Sequence, residues 1–173
     1  QEMTEKCETV FVGGESTGGL LALHLATSHR EIAGILTYAP ALKLTLSPMD
    51  KIKLYALAPF IPYIEEEDED DGLAWRGYRA KPLKGVIELL RLQKATLPLL
   101  GQIQAPTLIV QGRLDDTVHP DVPEMIAEGI QSGYVEIHWM EESSHCVALD
   151  KELEEVKQVT IDFVNKVLAE DGG

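Results

Sequence analysis

Gly14-Glu15-Ser16-Thr17-Gly18 follows the apolar run Thr9-Val10-Phe11-Val12 and leads straight into Gly19-Leu20-Leu21-Ala22-Leu23-His24-Leu25-Ala26. Few patterns constrain a fold as tightly. A strand, a G-x-S-x-G turn and a helix form the sharp elbow that lifts a serine hydroxyl to the top of a parallel sheet. Such a turn needs strained backbone, and glycines two residues either side of the serine are expected to let chain and helix approach closely. With 14 Gly and six Ser in 173 residues, chance alone would supply the motif only about 0.04 times. The flanking elements strengthen it further, against the alternative of a turn serine that merely caps a helix.

The rest of the chain alternates strands and helices, with one interruption. A strand is expected near Thr9 to Val12, a helix near Thr17 to Ser28 and a second strand from Ile32 to Tyr38. After Ala39-Pro40 the alternation stops for about sixty residues, too long for an ordinary connection. Within that insertion Ser47-Pro48-Met49-Asp50 reads as a helix start, with Ser as N-cap, Pro at the first helical position and an acid three residues on. Pro59 and Pro62 interrupt it, the acidic run Glu65 to Asp71 follows, and Leu83, Val86, Ile87 and Leu90 mark one face of another helix. Alternation resumes at Pro106-Thr107-Leu108-Ile109-Val110-Gln111, a continuous apolar strand of the kind buried on both faces of a parallel sheet. Asp121 with Glu124 reads as a capping box, and Tyr134 to Met140 as a half-polar edge strand. Asp150 to Glu170 reads as a long amphipathic helix, with Leu153, Val156, Phe163, Val164 and Val167 facing inward. The architecture expected is α/β with an inserted helical cap.

Composition narrows the function classes. The length suits one domain with its own core. With 15 Lys and Arg against 29 Asp and Glu, the formal charge of −14 repels nucleic acid and anionic membranes and suits a neutral or apolar substrate. Cys7 and Cys146 do not make a disulfide framework and read as unbridged thiols, Cys146 as a small buried hydrophobe. No apolar run reaches the ~18 residues of a membrane helix; the nearest, Tyr55 to Ile64, contains two prolines. Gln1 to Glu8 has neither the charged head nor the apolar core of a secretory signal.

A serine hydroxyl is a weak nucleophile at neutral pH and needs a general base, which in turn needs an orienting group. Of five histidines, His24 and His29 belong to the helix after the elbow, His119 precedes Pro120 and His138 lies on a strand face. His145, in the polar loop Glu141-Glu142-Ser143-Ser144-His145-Cys146, leaves the C-terminal end of a strand, where open α/β sheets place their sites. It is the best base. The orienting acid is expected between serine and histidine in chain order. Gly112-Arg113-Leu114-Asp115-Asp116 leaves another C-terminal strand end, so the acid is Asp115 or Asp116, and residue physics alone barely separates them. Glu15 reads as pointing to solvent. The acidic run lacks the glycine and spaced carboxylates of a calcium loop and reads as a solvated tip. Trp75 and Tyr78 read as ordinary packing residues, with a place at the border of the acyl entrance as the alternative.

Three motifs together carry a resemblance over nearly the whole chain: Gly14 to Gly19, Ala105 to Gly112 with Asp115-Asp116-Thr117-Val118, and Ser144-His145. They resemble the α/β-hydrolase superfamily, and within it the carboxylesterase and monoacylglycerol lipase group. The resemblance implies residues 1–40 and 101–173 as the second half of a mostly parallel hydrolase sheet flanked by helices, with 41–100 as a lid. It implies Asp115 as the acid, being the first residue of D-x-x-V. It implies that Ser16 attacks an ester carbonyl, His145 relays the proton, Asp115 holds the imidazole and the Thr17 N–H donates to the oxyanion, with no metal and no organic cofactor. Leu54, Leu57, Phe60 and Ile61 are apolar enough to line an acyl pocket under the lid.

The expected activity is hydrolysis of short or medium acyl esters, monoacylglycerols included. An acyltransferase or thioesterase would use the same residues, whereas dehalogenase chemistry needs Asp where this elbow carries Ser. The family's other oxyanion donor comes from a loop upstream of the elbow, and Thr9 to Val12 would form a bare sheet edge. A complementary N-terminal segment or chain completing the sheet is therefore expected, and a fragment inactive alone is the competing reading. The other expected partner is a small lipophilic ester; a homo-oligomer stays open.

Overall fold

The computed structural model describes residue 3, residues 5–65 and residues 80–171. Most of the acidic run, with Trp75 and Tyr78, lies outside them. Four parallel strands form the main sheet: β1 (Phe11–Glu15), β2 (Gly34–Tyr38), β5 (Thr107–Gly112) and β6 (Val135–Met140), in the order β1-β2-β5-β6. Between β2 and β5 come α2 (Pro48–Leu57), a small antiparallel pair β3 (Tyr63–Glu65) and β4 (Ala80–Pro82), α3 (Leu83–Thr96) and a 3-10 turn (Leu97–Gln102). The remaining helices are α1 (Thr17–Ala26), α4 (Val122–Gly129) and α5 (Leu153–Asp171). This is the α/β architecture expected.

β5 shows why an unbroken apolar run belongs in the middle of such a sheet. All six of its residues are buried. Ile109 packs with Leu20, Leu23, Ile35, Val122 and Ile126 on the face covered by α1 and α4. Leu108 and Val110 pack with Val156, Phe163 and Val167 on the face covered by α5. Both sides of the strand are thus dry, and alternation would place a polar side chain in one core or the other. β6, at one edge, is only half-buried apart from Met140. α5 grips that edge: Phe163 stacks on Tyr134 with centroids 5.6 Å apart. Lys166, Tyr134 and His138 all bond the Glu136 carboxylate. Burial pushes the Glu136 carboxyl up, but these partners outweigh it and hold it at about 2. β1 forms the other edge, where it pairs with β2 alone among the described residues.

Local chemistry sets most boundaries. The start of α2 is as expected: Ser47 Oγ accepts from the Asp50 N–H, and the Asp50 carboxylate accepts from the Ser47 N–H. α3 presents Leu83, Val86, Ile87 and Leu90 to Leu54 of α2 and to Ala58 just beyond its end, a small core separate from the sheet's.

The expected box at Asp121 does not form. Its backbone is already helical (φ −75°, ψ −7°), whereas a capping side chain works from an extended backbone, and its carboxylate turns to Lys43 and His119 instead. The Val122 N–H bonds the His119 carbonyl, and Pro123 has no N–H to satisfy. α5 begins at Leu153 rather than Asp150, because Asp150 and Glu152 serve the preceding loop, as described below.

Candidate active site

β1 runs through Gly13 and Gly14 to Glu15, later than the apolar run alone suggests, so Ser16 stands at the strand's very end and α1 begins one residue on. Ser16 has φ 54° and ψ −116°, a left-handed conformation costly for any residue with a Cβ. Three backbone bonds hold it there. Its N–H donates to the Tyr38 carbonyl at 2.8 Å, and its carbonyl accepts from Ala41 at 3.0 Å and Leu20 at 3.2 Å. Gly14 is indispensable to this turn: a Cβ there would lie 2.6 Å from the Gly18 carbonyl carbon. Gly18 itself faces open space, contrary to the expectation that both motif glycines relieve crowding. Gly19, where a Cβ would lie 2.9 Å from the Gly14 carbonyl oxygen, makes the second close approach.

Although Ser16 occupies the N-cap position of α1, its hydroxyl makes no capping bond. It points across the top of the sheet to His145, with Nε2 2.8 Å from Oγ. His145 Nδ1 lies 2.8 Å from Asp115 Oδ2. The three side chains expected from separate motifs therefore meet in one hydrogen-bonded line spanning 129 residues of sequence. The two candidate acids differ in their surroundings. The Asp115 side chain is 1% exposed and touches the imidazole, whereas Asp116 accepts from the neighbouring Thr117 hydroxyl. Asp115 Oδ1 accepts from the Thr117 and Val118 N–H groups at 2.8 and 3.0 Å, so Val118 is a backbone partner of the acid. Burial pushes the Asp115 carboxyl up, but the bonds from His145 and these amides, with the imidazole's charge, outweigh it and hold it below the usual carboxylate range.

The other four histidines have other partners: His24 bonds Thr96, His29 bonds Glu31, His119 meets Asp121 and His138 bonds Glu136.

The loop carrying His145 is held by carboxylates. Asp150 Oδ2 accepts from both the N–H and the hydroxyl of Ser144 at 2.7 Å. Glu152 accepts from the Glu141 and Glu142 N–H groups and from the Ser143 hydroxyl. Glu15 does not point to solvent as expected: it is half-buried and its Oε1 accepts from the Ala148 N–H at 3.1 Å, tying the elbow to this loop. Cys146 is half-buried rather than buried, and neither cysteine is in a disulfide. Gly112 is the other support that residue chemistry alone does not announce. A Cβ there would stand 2.1 Å from the Ser144 carbonyl oxygen, so β5 and the His145 loop can meet only over a glycine.

Thr17, exposed at the first position of α1, points its N–H out of the helix end, where no intrahelical carbonyl can accept it. Beside it opens a groove of about 350 Å3 whose apolar wall comes from α3, through Val86, Leu89 and Leu92, with Glu88 at the rim. None of Leu54, Leu57, Phe60 and Ile61 borders this groove. Leu54 is buried against Leu83 in the separate core, and Phe60 is 85% exposed. Among the described residues no cluster of His, Cys, Asp and Glu is arranged to hold a metal ion, and no helix is long and apolar enough to cross a membrane.

A sequence model of the prolyl oligopeptidase family matches residues 3–171. The chain belongs to that family. Its parallel sheet flanked by helices is that of an α/β-hydrolase, and lipases and esterases are among the proteins it is similar to. It is 27% identical to the thermostable monoacylglycerol lipase of Bacillus sp. (strain H-257) over 164 residues, 95% of this chain and 66% of that protein. It is 31% identical to a carboxylesterase of Bacillus subtilis (strain 168) over 68 residues, 39% of this chain and 28% of that one. Among solved structures, one reported with LipS and LipT, two metagenome-derived lipolytic enzymes, matches with a TM-score of 0.84 and 30% identity over 95% of this chain and 68% of that one. The monoglyceride lipase of Saccharomyces cerevisiae matches with a TM-score of 0.73 and 19% identity, over 96% of this chain and 67% of that one. The chain thus spans 66% of the length of one curated relative and 28% of the other.

Proposed function

We propose that the protein is a serine ester hydrolase acting on short or medium acyl esters, monoacylglycerols among them. The observation that carries this is the line Ser16–His145–Asp115 ending beside an apolar groove. Ser16 Oγ attacks the ester carbonyl while His145 Nε2 takes its proton, giving a tetrahedral oxyanion that the Thr17 N–H stabilises. His145 then protonates the leaving alcohol as the C–O bond breaks, and an acyl-serine remains. Water, deprotonated by the same nitrogen, attacks the acyl carbonyl and releases the acid and free serine. Asp115 fixes the imidazole tautomer throughout. Residues 41–100 act as a cap, α3 giving the acyl chain its wall. An acyltransferase or thioesterase would share these steps and differ in acceptor or leaving group.

This reading includes a complementary N-terminal segment or chain pairing with the open edge of β1. Its support is that edge, a row of backbone groups without a partner strand among the described residues. One experiment tests both. The full-length protein and the 173-residue chain alone are treated with a fluorophosphonate and assayed on nitrophenyl esters of increasing acyl length, with thioesters and alcohol acceptors in parallel. Labelling of Ser16 and turnover of oxygen esters by the full-length protein are expected; a full-length protein that never labels overturns the hydrolase reading. Equal activity of the 173-residue chain alone overturns the need for a complementing segment.

Gly112→Ala provides a separate check on the supporting loop. The added methyl must displace the Ser144 carbonyl, moving His145 relative to Ser16. A displacement near 1 Å costs about 100-fold in rate. Turnover of nitrophenyl butyrate is expected to fall by about that factor with a lower Tm, and a loss under fivefold would show that the loop yields without moving its histidine.

A further inference from the structure

Gln111 is out of place by every packing criterion. It is the penultimate residue of β5, whose Leu108, Ile109 and Val110 side chains fill the two cores; it is 1% exposed, and its side-chain Oε1 is buried with no hydrogen-bond partner among the described residues. A buried, unmatched carbonyl costs about 1–3 kcal/mol. Leu or Met at this position would avoid that cost, so packing alone does not account for an amide. What the amide does is donate: Gln111 Nε2 lies 2.7 Å from Asp115 Oδ2, the oxygen that also faces His145. The reverse amide orientation would set its oxygen against the carboxylate, so the donor is fixed by the acid it meets.

The environment of Asp115 then closes as a complete set. Its carboxylate is almost wholly out of water and needs protein donors to remain charged. Oδ1 has two, from Thr117 and Val118; Oδ2 has two, from His145 and Gln111. Three of the four come from the loop after β5 or from His145 itself. Gln111 alone belongs to β5, an interior strand of the sheet.

We propose that Gln111 is a positioning residue: it anchors Asp115 Oδ2 to the sheet, so that the acid keeps its charge and its aim on His145 Nδ1 through each proton transfer. This rests on the assignment of Ser16, His145 and Asp115 above. Without the anchor, Oδ2 loses a charge-assisted bond and the carboxylate is free to rotate away from the ring.

The test uses full-length protein with Gln111→Met, which keeps the side chain's reach and removes both its polar atoms, and Gln111→Glu. For Gln111→Met, kcat on nitrophenyl butyrate is expected to fall about tenfold, the effect of losing one hydrogen bond to a charged group. KM should stay within twofold and Tm should not decrease. The low-field NMR resonance of the His145 Nδ1 proton should move. Gln111→Glu sets a second carboxyl against Asp115. Ionised, it repels the acid; protonated, it donates as the amide did, so the ratio of its kcat to wild type is expected to rise as pH falls. Unchanged kcat and an unmoved resonance in Gln111→Met overturn the proposal. A Gln111→Glu ratio flat with pH also overturns it, and remains decisive if Gln111→Met fails to fold. Failure of the underlying assignment reads differently: wild type then neither labels nor turns over, while the proton resonance still reports whether Gln111 acts on the Asp115–His145 pair.

Discussion

Ser16→Ala is expected to lower kcat/KM on nitrophenyl esters by about a millionfold and to abolish fluorophosphonate labelling. That factor is typical where a serine and its histidine act as one unit, and the rate remaining over water comes from binding and oxyanion stabilisation. Removing the hydroxyl takes away nothing that holds the elbow. Ser16 Oγ makes no capping bond, and the backbone bonds to Tyr38, Ala41 and Leu20 are unchanged in Ala. Tm should therefore stay within a few degrees of wild type, and circular dichroism should be superimposable. The strained φ of 54° is equally costly for Ala, which rules out stabilisation by strain relief. Activity above 1% of wild type in Ser16→Ala would place the nucleophile elsewhere.

Asp115→Asn is expected to cost about 10⁴ in kcat, while Asp116→Asn changes it less than twofold. Loss on that scale follows when the acid of a serine–histidine pair is made neutral, because the amide donates to the imidazole and selects the wrong tautomer. Nε2 would then carry the proton and could not accept one from Ser16. The substitution also removes a pH-dependent contribution to stability. The folded carboxyl of Asp115 sits below its ordinary value. A depressed group stabilises the fold above the unfolded value, near 3.9 for Asp, and that stabilisation is lost as pH falls through the lower folded value. Denaturant unfolding of wild type and Asp115→Asn below about pH 4 should show the variant with the flatter acid limb. Equal losses of activity in Asp115→Asn and Asp116→Asn would sink the assignment.

The elbow was legible because strain, close approach and helix initiation all leave residue-type signatures within a dozen positions. Asp115 was legible only as one of two neighbours. Both lie in a loop at the right end of a strand, and nothing in Asp-Asp says which side chain turns inward. The supporting groups were less legible still. Glu15, Asp150 and Glu152 look like surface acids in a chain of 29 acidic residues, and their role appears only when the backbone N–H groups of the His145 loop arrive beside them. The Asp121 reading failed because a capping box is a statement about backbone angles that residue identity does not fix. Leu54 does not border the groove beside Thr17 for a related reason: apolarity identifies what can be buried, and Leu54 is buried in the α2–α3 core instead.

Two signals were present and went unread. Gln111 interrupts an otherwise apolar strand, and Gly112 follows it where a β-branched residue would extend the strand more stably. Each breaks the rule of its surroundings, and each meets Asp115 or the His145 loop. By itself the sequence determined the class of sheet, the elbow and the chemical types of the serine, base and acid, since periodicity, turn chemistry and nucleophile activation are local properties. Only the tertiary structure decided which aspartate meets the imidazole, what holds the histidine loop and which wall borders the groove. Those depend on contacts between residues 6 to 133 positions apart, set by how the helices and loops pack across the sheet.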